Sequence, residues 1–163
     1  MPELDKDLRS IQEARNLASR AFDAWKEWSS ATQEAVDRVC AAMAQVAVDA
    51  SERLGRDAHL ETGYGIPEHK RLKNLFASRN VWESIKDIKT VGVINHHVEQ
   101  RIYDIAWPVG VIAGLTPSTN PTSTVMFKIL IAVKARDAIV IAPHPAAAKC
   151  CCETARIMAQ AAV

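Results

Sequence analysis

Short polar side chains are concentrated in the segment GLTPSTNPTST, which spans residues 114–124. The segment lies between two apolar runs, residues 109–113 and residues 125–130. Hydroxyl and amide groups at a turn can donate hydrogen bonds without filling the space beside them, which suits an anion or a developing oxyanion. The alternative is a Ser/Thr-rich loop with ordinary helix capping, and spacing alone favours that alternative.

A strand must precede this turn and a helix must follow it. The apolar run Val109–Leu115 predicts a fully buried strand. Asn120 and Pro121 predict the cap and the first residue of a helix that ends near Arg136. In open parallel sheets ligands bind beyond the carboxyl ends of the strands, and a helix N-terminus favours negative charge. The turn therefore has the position of a ligand site.

The same order of elements then repeats. Residues 138–142 predict a second buried strand, and Pro145 opens a last helix over 146–162. Strand, helix, strand and helix indicate an α/β fold, in which a βαβ unit forms a parallel sheet covered by helices. Two parallel strands leave open edges, so we expect the 163 residues to be the N-terminal part of a longer chain.

The N-terminal part of the chain predicts helices. Apolar residues spaced three and four apart predict an amphipathic helix over 5–29, with Phe22 and Trp25 packed on the domain that follows. The capping-box pattern at 30–33 predicts the start of a second helix, and Gly55 is expected to cap its end.

Further helices and two strands are predicted before the turn. A short helix near 56–62 is expected to end at Gly63, and Pro67 to begin a longer helix. The residues that we expect this longer helix to bury are Leu72, Leu75, Phe76, Trp82 and Ile85. Residues 91–94 and 101–107 have the composition and alternation of strands.

Composition excludes several classes of function. The net charge is +1 with interspersed signs, which predicts neither a nucleic-acid surface nor a basic membrane patch. The polar, acidic start does not resemble a secretory signal, and the longest apolar run is too short to cross a bilayer. We therefore expect no nucleic-acid partner and no membrane association.

The cysteines and histidines do not predict a metal site. The cysteines are Cys40 and the consecutive Cys150, Cys151 and Cys152, which indicate reduced thiols in a cytoplasmic protein. Neighbouring residues of a helix project about 100° apart, so three in a row cannot converge on one ion. The pair at 96–97, expected to follow a strand, has no metal-ligand spacing.

The turn and the residues around it resemble a known family. PVGVIAGLTPSTNPTST at 108–124, followed by FKILIAVKARDAIVIAPHPAAAK at 127–149, resembles the CoA-acylating branch of the aldehyde dehydrogenase superfamily. That branch includes acetylating acetaldehyde dehydrogenases and the aldehyde half of bifunctional aldehyde–alcohol dehydrogenases. ETGYG at 61–65 and ARNLASRAFDAWKEWS at 14–29 resemble a turn and the first helix of the same family.

The resemblance implies an incomplete Rossmann-like NAD-binding domain without a glycine-rich fingerprint. Residues 1–90 would form a helical layer, 91–107 edge or oligomerisation strands, and 108–163 the first half of the NAD-binding βαβα unit. The implied reaction oxidises a small aldehyde with NAD, or with NADP, and transfers the acyl group to coenzyme A. The nucleophilic cysteine would lie beyond Val163, so these residues alone are expected to be inactive.

The resemblance also implies site residues. Ordinary members bind the oxyanion with an Asn after a Pro-x motif, and a gapless comparison puts Thr119 there and Asn120 one place later. Both therefore remain oxyanion candidates. The residues expected to contact the cofactor are Leu115, Thr116, Pro117, Ser118, Ala142, Pro143, His144 and Pro145. Ala142 stands where ordinary members carry a Lys for the ribose, so dinucleotide preference is weakly specified, and His144 is either a nucleotide contact or a turn residue.

Other functions and locations stay open at this stage. The chain could be a non-catalytic nucleotide-binding or interaction module of the same fold, or part of a hydrolytic aldehyde dehydrogenase. The full-length protein is expected to be a cytoplasmic homo-oligomer. A role of helix 5–29 in targeting to a protein microcompartment is the alternative to its packing on the nucleotide domain.

Overall fold

The structure, a computed structural model, describes residues 5–162. Its helices are α1 (Lys6–Trp28), α2 (Gln33–Asp49), α3 (Ser51–Thr62), α4 (Pro67–Leu75), α5 (Val81–Ile85), α6 (Pro121–Lys134) and α7 (Ala148–Gln160). A π-helical segment, Phe76–Asn80, joins α4 to α5, and a 3-10 turn, Pro145–Ala147, precedes α7. The strands are β1 (Gly92–His97), β2 (Ile102–Ala106), β3 (Val111–Thr116) and β4 (Ala138–Pro143).

The predicted βαβ unit is confirmed. Strands β3 and β4 pair in parallel, from Val111 opposite Ala138 to Thr116 opposite Pro143, and α6 makes the crossover. Directly before the first residue of β3, the Gly110 N–H donates to the Asp137 carboxylate at 2.8 Å. The fold is therefore α/β, as expected, with part of a Rossmann-like sheet.

The prediction that Val109–Leu115 is fully buried is wrong. In β3 alternate residues face a covered and an open side, and Leu115 is 70% exposed. Within residues 5–162 this sheet has only two strands, so the helices cover a narrow ribbon and its outer apolar side chains stay accessible. On the covered side, a Cβ at Gly114 would lie 3.0 Å from the Ile139 side chain, so this glycine serves packing within the sheet.

The core lies between the helices and the covered side of the sheet. Helix α6 is apolar on most of its surface because α2 and α7 pack on it as well as the strands. The fully buried members of the cluster include Ala47, Leu54, Ala58, Val125, Met126, Leu130, Ala147, Cys151 and Met158.

The predicted capping box at 30–33 is wrong. The N-cap of α2 is Thr32, whose hydroxyl accepts a hydrogen bond from the Ala35 N–H at 3.3 Å. Gln33 instead accepts hydrogen bonds from the Thr90 and Val91 amides, at 2.8 and 3.1 Å. Gln33 therefore contacts residues far from it in sequence and takes no part in the cap of α2.

Gly55 does not end a helix, contrary to the prediction. It lies inside α3, where a Cβ atom would be 2.8 Å from the Arg71 backbone nitrogen and 3.2 Å from the Pro67 carbonyl oxygen. The glycine thus allows α3 and α4 to approach closely. The predicted end at Gly63 is confirmed, since this residue has a φ of 69° after Thr62.

The start of α4 at Pro67 is confirmed, but its predicted buried face is partly wrong. Leu72 is 51% exposed and Phe76 is 66% exposed. The buried residues of α4 and the following segment are Lys70, Asn74, Ala77 and Ser78. The core side of this helix is thus partly polar, and a π-helical turn also breaks the 3.6-residue period on which the prediction depended.

Helix α1 forms as predicted and contacts β3 and β4. Trp28 donates from its indole N–H to the Val133 carbonyl at 3.2 Å. Trp25 is half-buried, but Phe22 stacks on it with ring centroids 5.5 Å apart and remains 46% exposed. The predicted packing of Phe22 on the following domain is therefore wrong.

Strands β1 and β2 form an antiparallel hairpin at the predicted places. His96 and His97 lie inside β1 instead of after it. His97 is hydrogen-bonded to Asp104 of β2 at 2.9 Å, and this bond lowers the pKa of the Asp104 carboxyl. The Arg136 guanidinium donates to the Ala106 carbonyl and so ties the hairpin to the end of α6.

Glu61 caps the N-terminus of α7. Its carboxylate oxygens accept hydrogen bonds from the Lys149 amide at 2.9 Å and the Cys150 amide at 2.7 Å. Desolvation opposes ionisation of Glu61, but these hydrogen bonds outweigh it, so its pKa lies below the usual value. The ETGYG segment therefore supplies both a helix end at Gly63 and a carboxylate for a second helix.

The substitution Gly55→Ala should lower the free energy of unfolding by about 1–3 kcal/mol, because the added methyl group overpacks α3 against α4. On an open helix the same change would stabilise by about 1 kcal/mol. Urea unfolding followed by circular dichroism measures the difference, with the exposed Arg56→Ala as control. A Gly55→Ala variant as stable as the wild type would contradict this close packing.

The substitution Glu61→Gln should lower the free energy of unfolding at neutral pH by about 1 kcal/mol, because the helix loses a charged cap. A lowered carboxyl pKa stabilises the fold above the ordinary pKa and ceases to do so as pH falls through the folded-state value. The gap between wild type and variant should therefore close in acid. The control is Glu52→Gln, at an exposed position of α3, the helix that also carries Glu61. A difference in unfolding free energy between wild type and Glu61→Gln that persists unchanged in acid would refute the ionic character of the cap.

Candidate functional site

The two groups of predicted cofactor-binding residues lie at one edge of the sheet. Leu115 is opposite Ala142 in the parallel register, and the His144 amide donates to the Thr116 carbonyl at 2.9 Å. Leu115, Pro117, Ala142, His144 and Pro145 are exposed, Ser118 and Pro143 are half-buried, and Thr116 is buried. The structure therefore brings residues 115–118 and 142–145 together at the carboxyl ends of β3 and β4.

Two lysines of α4 reach the turn that follows β3. Lys70 donates from its Nζ to the Thr119 carbonyl oxygen at 3.0 Å. Lys73 donates from its Nζ to the Asn120 side-chain oxygen at 2.8 Å. A third lysine, Lys128 of α6, donates from its Nζ to the Leu115 carbonyl oxygen at 2.5 Å. Three ammonium groups thus bind oxygen atoms at the end of β3 and in the turn that follows it.

The charge of these lysines is not neutralised locally. In the described part of the chain, none of Lys70, Lys73 and Lys128 forms a salt bridge. Lys70 is only 4% exposed, and burial, followed by the nearby charge of Lys73, lowers the pKa of its ammonium group. The surroundings of the turn are therefore electropositive, which favours an anion or an oxyanion.

Asn120 occupies the N-cap position of α6, but its side chain does not cap the helix, contrary to the prediction. Its Oδ1 accepts the hydrogen bond from Lys73, which has only donors, so the amide orientation is determined. The Asn120 Nδ2 is left with one long contact, 3.5 Å to the Thr119 hydroxyl. This N–H group is available to a ligand.

An open cavity lies beside Asn120. Its volume is about 460 Å³, and its lining residues are Leu72, Lys73, Phe76, Ala77, Val81, Asn120, Ser123, Thr124 and Phe127. The exposed Leu72 and Phe76, which sequence periodicity assigned to the core, form part of its apolar wall. Thr119 is exposed and does not line the cavity, whereas Asn120 does.

The segment that follows the carboxyl end of β4 is built differently from the turn that follows β3. The His144 Nδ1 accepts a hydrogen bond from the Ala146 amide at 3.1 Å, so this histidine caps the 3-10 turn. The N-terminal amides of α7 are bound by Glu61. A cavity of about 360 Å³ next to them is lined by the carboxylates of Asp57, Glu61 and Glu153 and also by Lys149. Arg53 forms salt bridges with Asp57 and Glu153, whereas Glu61 already occupies the helix amides. This helix N-terminus is therefore a poor place for a phosphate group.

The four cysteines lie away from the cavity beside Asn120, and none of them lines it. Cys40, Cys150 and Cys151 are buried, and Cys152 is exposed. Burial raises the pKa of the Cys40 thiol to about 12, and the interaction of the Cys150 thiol, as donor, with Cys151, together with burial, raises the pKa of Cys150. Among residues 5–162 no cluster of three or more histidine, cysteine, aspartate or glutamate side chains could hold a metal ion.

Sequence reasoning located the turn but not the lysines of α4. Lys70 and Lys73 stand in the polar stretch PEHKRLKN, which has the composition of a solvent-exposed helix. Nothing in their local spacing distinguishes them from Arg71, which forms a surface salt bridge with Glu68. Their role becomes visible only when α4 is placed against the start of α6.

No helix in the described part of the chain combines the length and the apolar character that spanning a bilayer requires.

The chain matches the model of the aldehyde dehydrogenase family over residues 4–163. It is similar to an acetylating aldehyde dehydrogenase of Geobacillus thermoglucosidasius, with 54% identity and a TM-score of 0.95 over 98% of this chain and 35% of that one. It is 42% identical over 154 residues to the bifunctional aldehyde-alcohol dehydrogenase AdhE of Escherichia coli, covering 94% of this chain and 17% of the relative.

A more distant structure is informative about ligands. The propionaldehyde dehydrogenase of Rhodopseudomonas palustris, solved with bound CoA and an acylated cysteine, is 26% identical with a TM-score of 0.74 over 91% of this chain and 34% of that one. The chain thus spans about a third of the length of these dehydrogenases and a smaller share of the bifunctional relative. The family model covers residues 4–163 and the similar structures share the fold, so the chain belongs to the aldehyde dehydrogenase family.

Proposed function

We propose that this chain forms the dinucleotide side of an NAD-dependent, CoA-acylating aldehyde dehydrogenase, which converts a small aldehyde into an acyl-CoA. The observation that carries the proposal is the Asn120 amide, held with a free N–H at the edge of the parallel sheet and beside an apolar cavity. The acetylating relatives support the reaction class. The cysteine acylated in the R. palustris structure supports a thioester intermediate.

The division of labour follows from the residues present. Bound NAD would accept the hydride, CoA would accept the acyl group, and a nucleophilic cysteine outside residues 1–163 would hold the acyl group between the two steps. Asn120 would donate its Nδ2–H to the aldehyde oxygen as negative charge develops there. The ammonium group of Lys70, which forms no salt bridge among the described residues, would favour the same charge from behind the amide.

The strand ends fit a dinucleotide. Leu115 and Ala142 are adjacent, exposed and apolar, as the face of a planar ring requires, and neither fills the space above the sheet edge. We assign the cofactor contacts to residues 115–118 and 142–145. The phosphates would avoid the N-terminus of α7, because Glu61 already binds its amides. NAD is proposed over NADP because Ala142 supplies no cation for a second ribose phosphate.

The aldehyde would lie in the cavity beside Asn120. Apolar side chains from α4, the π-helical segment and α6 form most of its wall, which suits an alkyl group. The aldehyde oxygen would then face Asn120 and the alkyl chain would face Leu72 and Phe127. This arrangement separates the carbonyl oxygen, on which negative charge develops during the reaction, from the apolar part of the substrate.

The hairpin of β1 and β2 supports the proposed homo-oligomer. Most residues of both strands are exposed, and Ile102, Tyr103 and Ile105 are apolar or aromatic side chains open to solvent. A two-stranded sheet with free edges can pair with another strand. We propose that this hairpin mediates assembly in the complete enzyme.

The substitution Asn120→Ala, made in the native enzyme that contains these residues, should lower kcat for acetaldehyde oxidation by about 10²–10³-fold, because one oxyanion donor is lost. Steady-state rates of NADH formation in the presence of CoA measure the effect. The rival candidate gives the comparison: Thr119→Ala should change kcat far less, since Thr119 does not line the cavity. A larger loss in Thr119→Ala than in Asn120→Ala would reverse the assignment.

The isolated chain of 163 residues should form no NADH from acetaldehyde, NAD and CoA, because none of its cysteines lines the cavity beside Asn120. The complete enzyme is the positive control and should yield acetyl-CoA, with a higher kcat/KM for NAD than for NADP. Turnover by the isolated chain would place the nucleophile within it and contradict the proposal. Carboxylic acid release by the complete enzyme without any need for CoA would instead identify a hydrolytic aldehyde dehydrogenase.

A further inference from the structure

Asn120 stands at the N-cap position of α6, but its side-chain oxygen binds Lys73 and does not cap the helix. At an N-cap position the side-chain oxygen of Asn normally accepts a hydrogen bond from an amide of the first turn. Here the Asn120 side chain makes no such bond to α6, and its oxygen is bound by the Lys73 ammonium at 2.8 Å. A charge-assisted hydrogen bond is stronger than a neutral one, so Lys73 prevails over the local cap.

The backbone of the same turn is fixed by Lys70. Its Nζ donates to the Thr119 carbonyl at 3.0 Å, and its side chain is 96% buried, since only 4% is exposed. This carbonyl belongs to the peptide group that precedes Asn120. Lys70 and Lys73, three residues apart on one face of α4, therefore hold the main chain and the side chain of adjacent positions.

A buried network fixes α4 relative to α6. The Thr122 hydroxyl donates to the Asn74 side-chain oxygen at 2.7 Å, and the Asn74 amide donates to the Ser51 carbonyl at 2.9 Å. Asn74 is 1% exposed and Thr122 is 2% exposed, so these bonds do not compete with water. The network thus fixes the backbones that carry Lys73 and Asn120 relative to each other, while the hydrogen bond between the two side chains is exposed.

We propose that Lys73 is a positioning residue for the oxidation step: it holds the Asn120 oxygen so that Nδ2 faces the cavity, while Lys70 anchors the preceding peptide. Without Lys73 the Asn120 oxygen would turn to cap α6, and Nδ2 would no longer face the cavity. The inference deepens the proposed function and depends on it for the role of Asn120. Lys73 would act through Asn120 and not by contact with the substrate.

Kinetics of the native enzyme test the role. Lys73→Met should lower kcat by up to about a hundredfold with little change in the KM for aldehyde, because the amide is misplaced and not lost. Lys73→Arg should restore part of the rate, since it keeps a cationic donor. Arg71→Met, which removes a positive charge from the same helix at a surface salt bridge, is the matched control and should behave as wild type.

A double-mutant cycle tests whether Lys73 works through Asn120. The double variant Lys73→Met with Asn120→Ala should be no slower than Asn120→Ala alone. Rate losses that multiply would overturn the inference, and so would a Lys73→Met variant in which KM rises and kcat is unchanged.

The side-chain amide of Asn120 gives a readout that does not depend on catalysis. In nuclear magnetic resonance spectra of the 163-residue chain, its two N–H signals should be shifted from those of free asparagine in the wild type and in Arg71→Met. In Lys73→Met they should move, and in Lys73→Arg they should return toward the wild type. Unchanged signals in Lys73→Met would overturn the inference. If the signals behave as expected while Asn120→Ala keeps full activity, the positioning contact stands and the proposed oxyanion role fails.

Discussion

The hydrogen bond from Thr122 to Asn74 is the interaction on which the arrangement of the site depends. Both side chains are buried, so loss of either partner would leave a polar group without water, at a cost of about 1–3 kcal/mol. This bond joins the first turn of α6 to the last turn of α4. Because α6 follows directly from the turn after β3, the same bond determines which residues of α4 can reach that turn.

The two helices that follow the parallel strands use their N-termini in opposite ways. Helix α7 is closed by the Glu61 carboxylate, which satisfies two amides. Helix α6 has no side-chain cap, although Asn120 stands at the position that would provide one. The forgone cap costs about 1 kcal/mol of helix stability. Local rules of this kind are broken most often where a residue serves function, and the donor freed at Asn120 is consistent with that pattern.

The sequence predicted the elements whose signals are local. Continuous apolar runs identified β3 and β4, Pro67 and Pro121 identified helix starts, and the fold class followed from their order. Features that depend on neighbours in space were missed. Gly55 is required by the approach of α4, which no local pattern reveals. The residues around Asn120 were predicted from their chemistry, but Lys73 was not, because its partner lies 47 positions away.

The hydrogen-bond partner of the buried Lys70 explains how the site stays electropositive without a salt bridge. Desolvation alone would favour a neutral amine, and it lowers the pKa of the ammonium group. A carboxylate partner would restore the charge but would also repel an oxyanion in the adjacent cavity. A carbonyl oxygen, such as that of Thr119, accepts the hydrogen bond without adding negative charge. Binding lysines to amide and carbonyl oxygens therefore retains a positive field at the turn, and an acidic partner at the same place would cancel it.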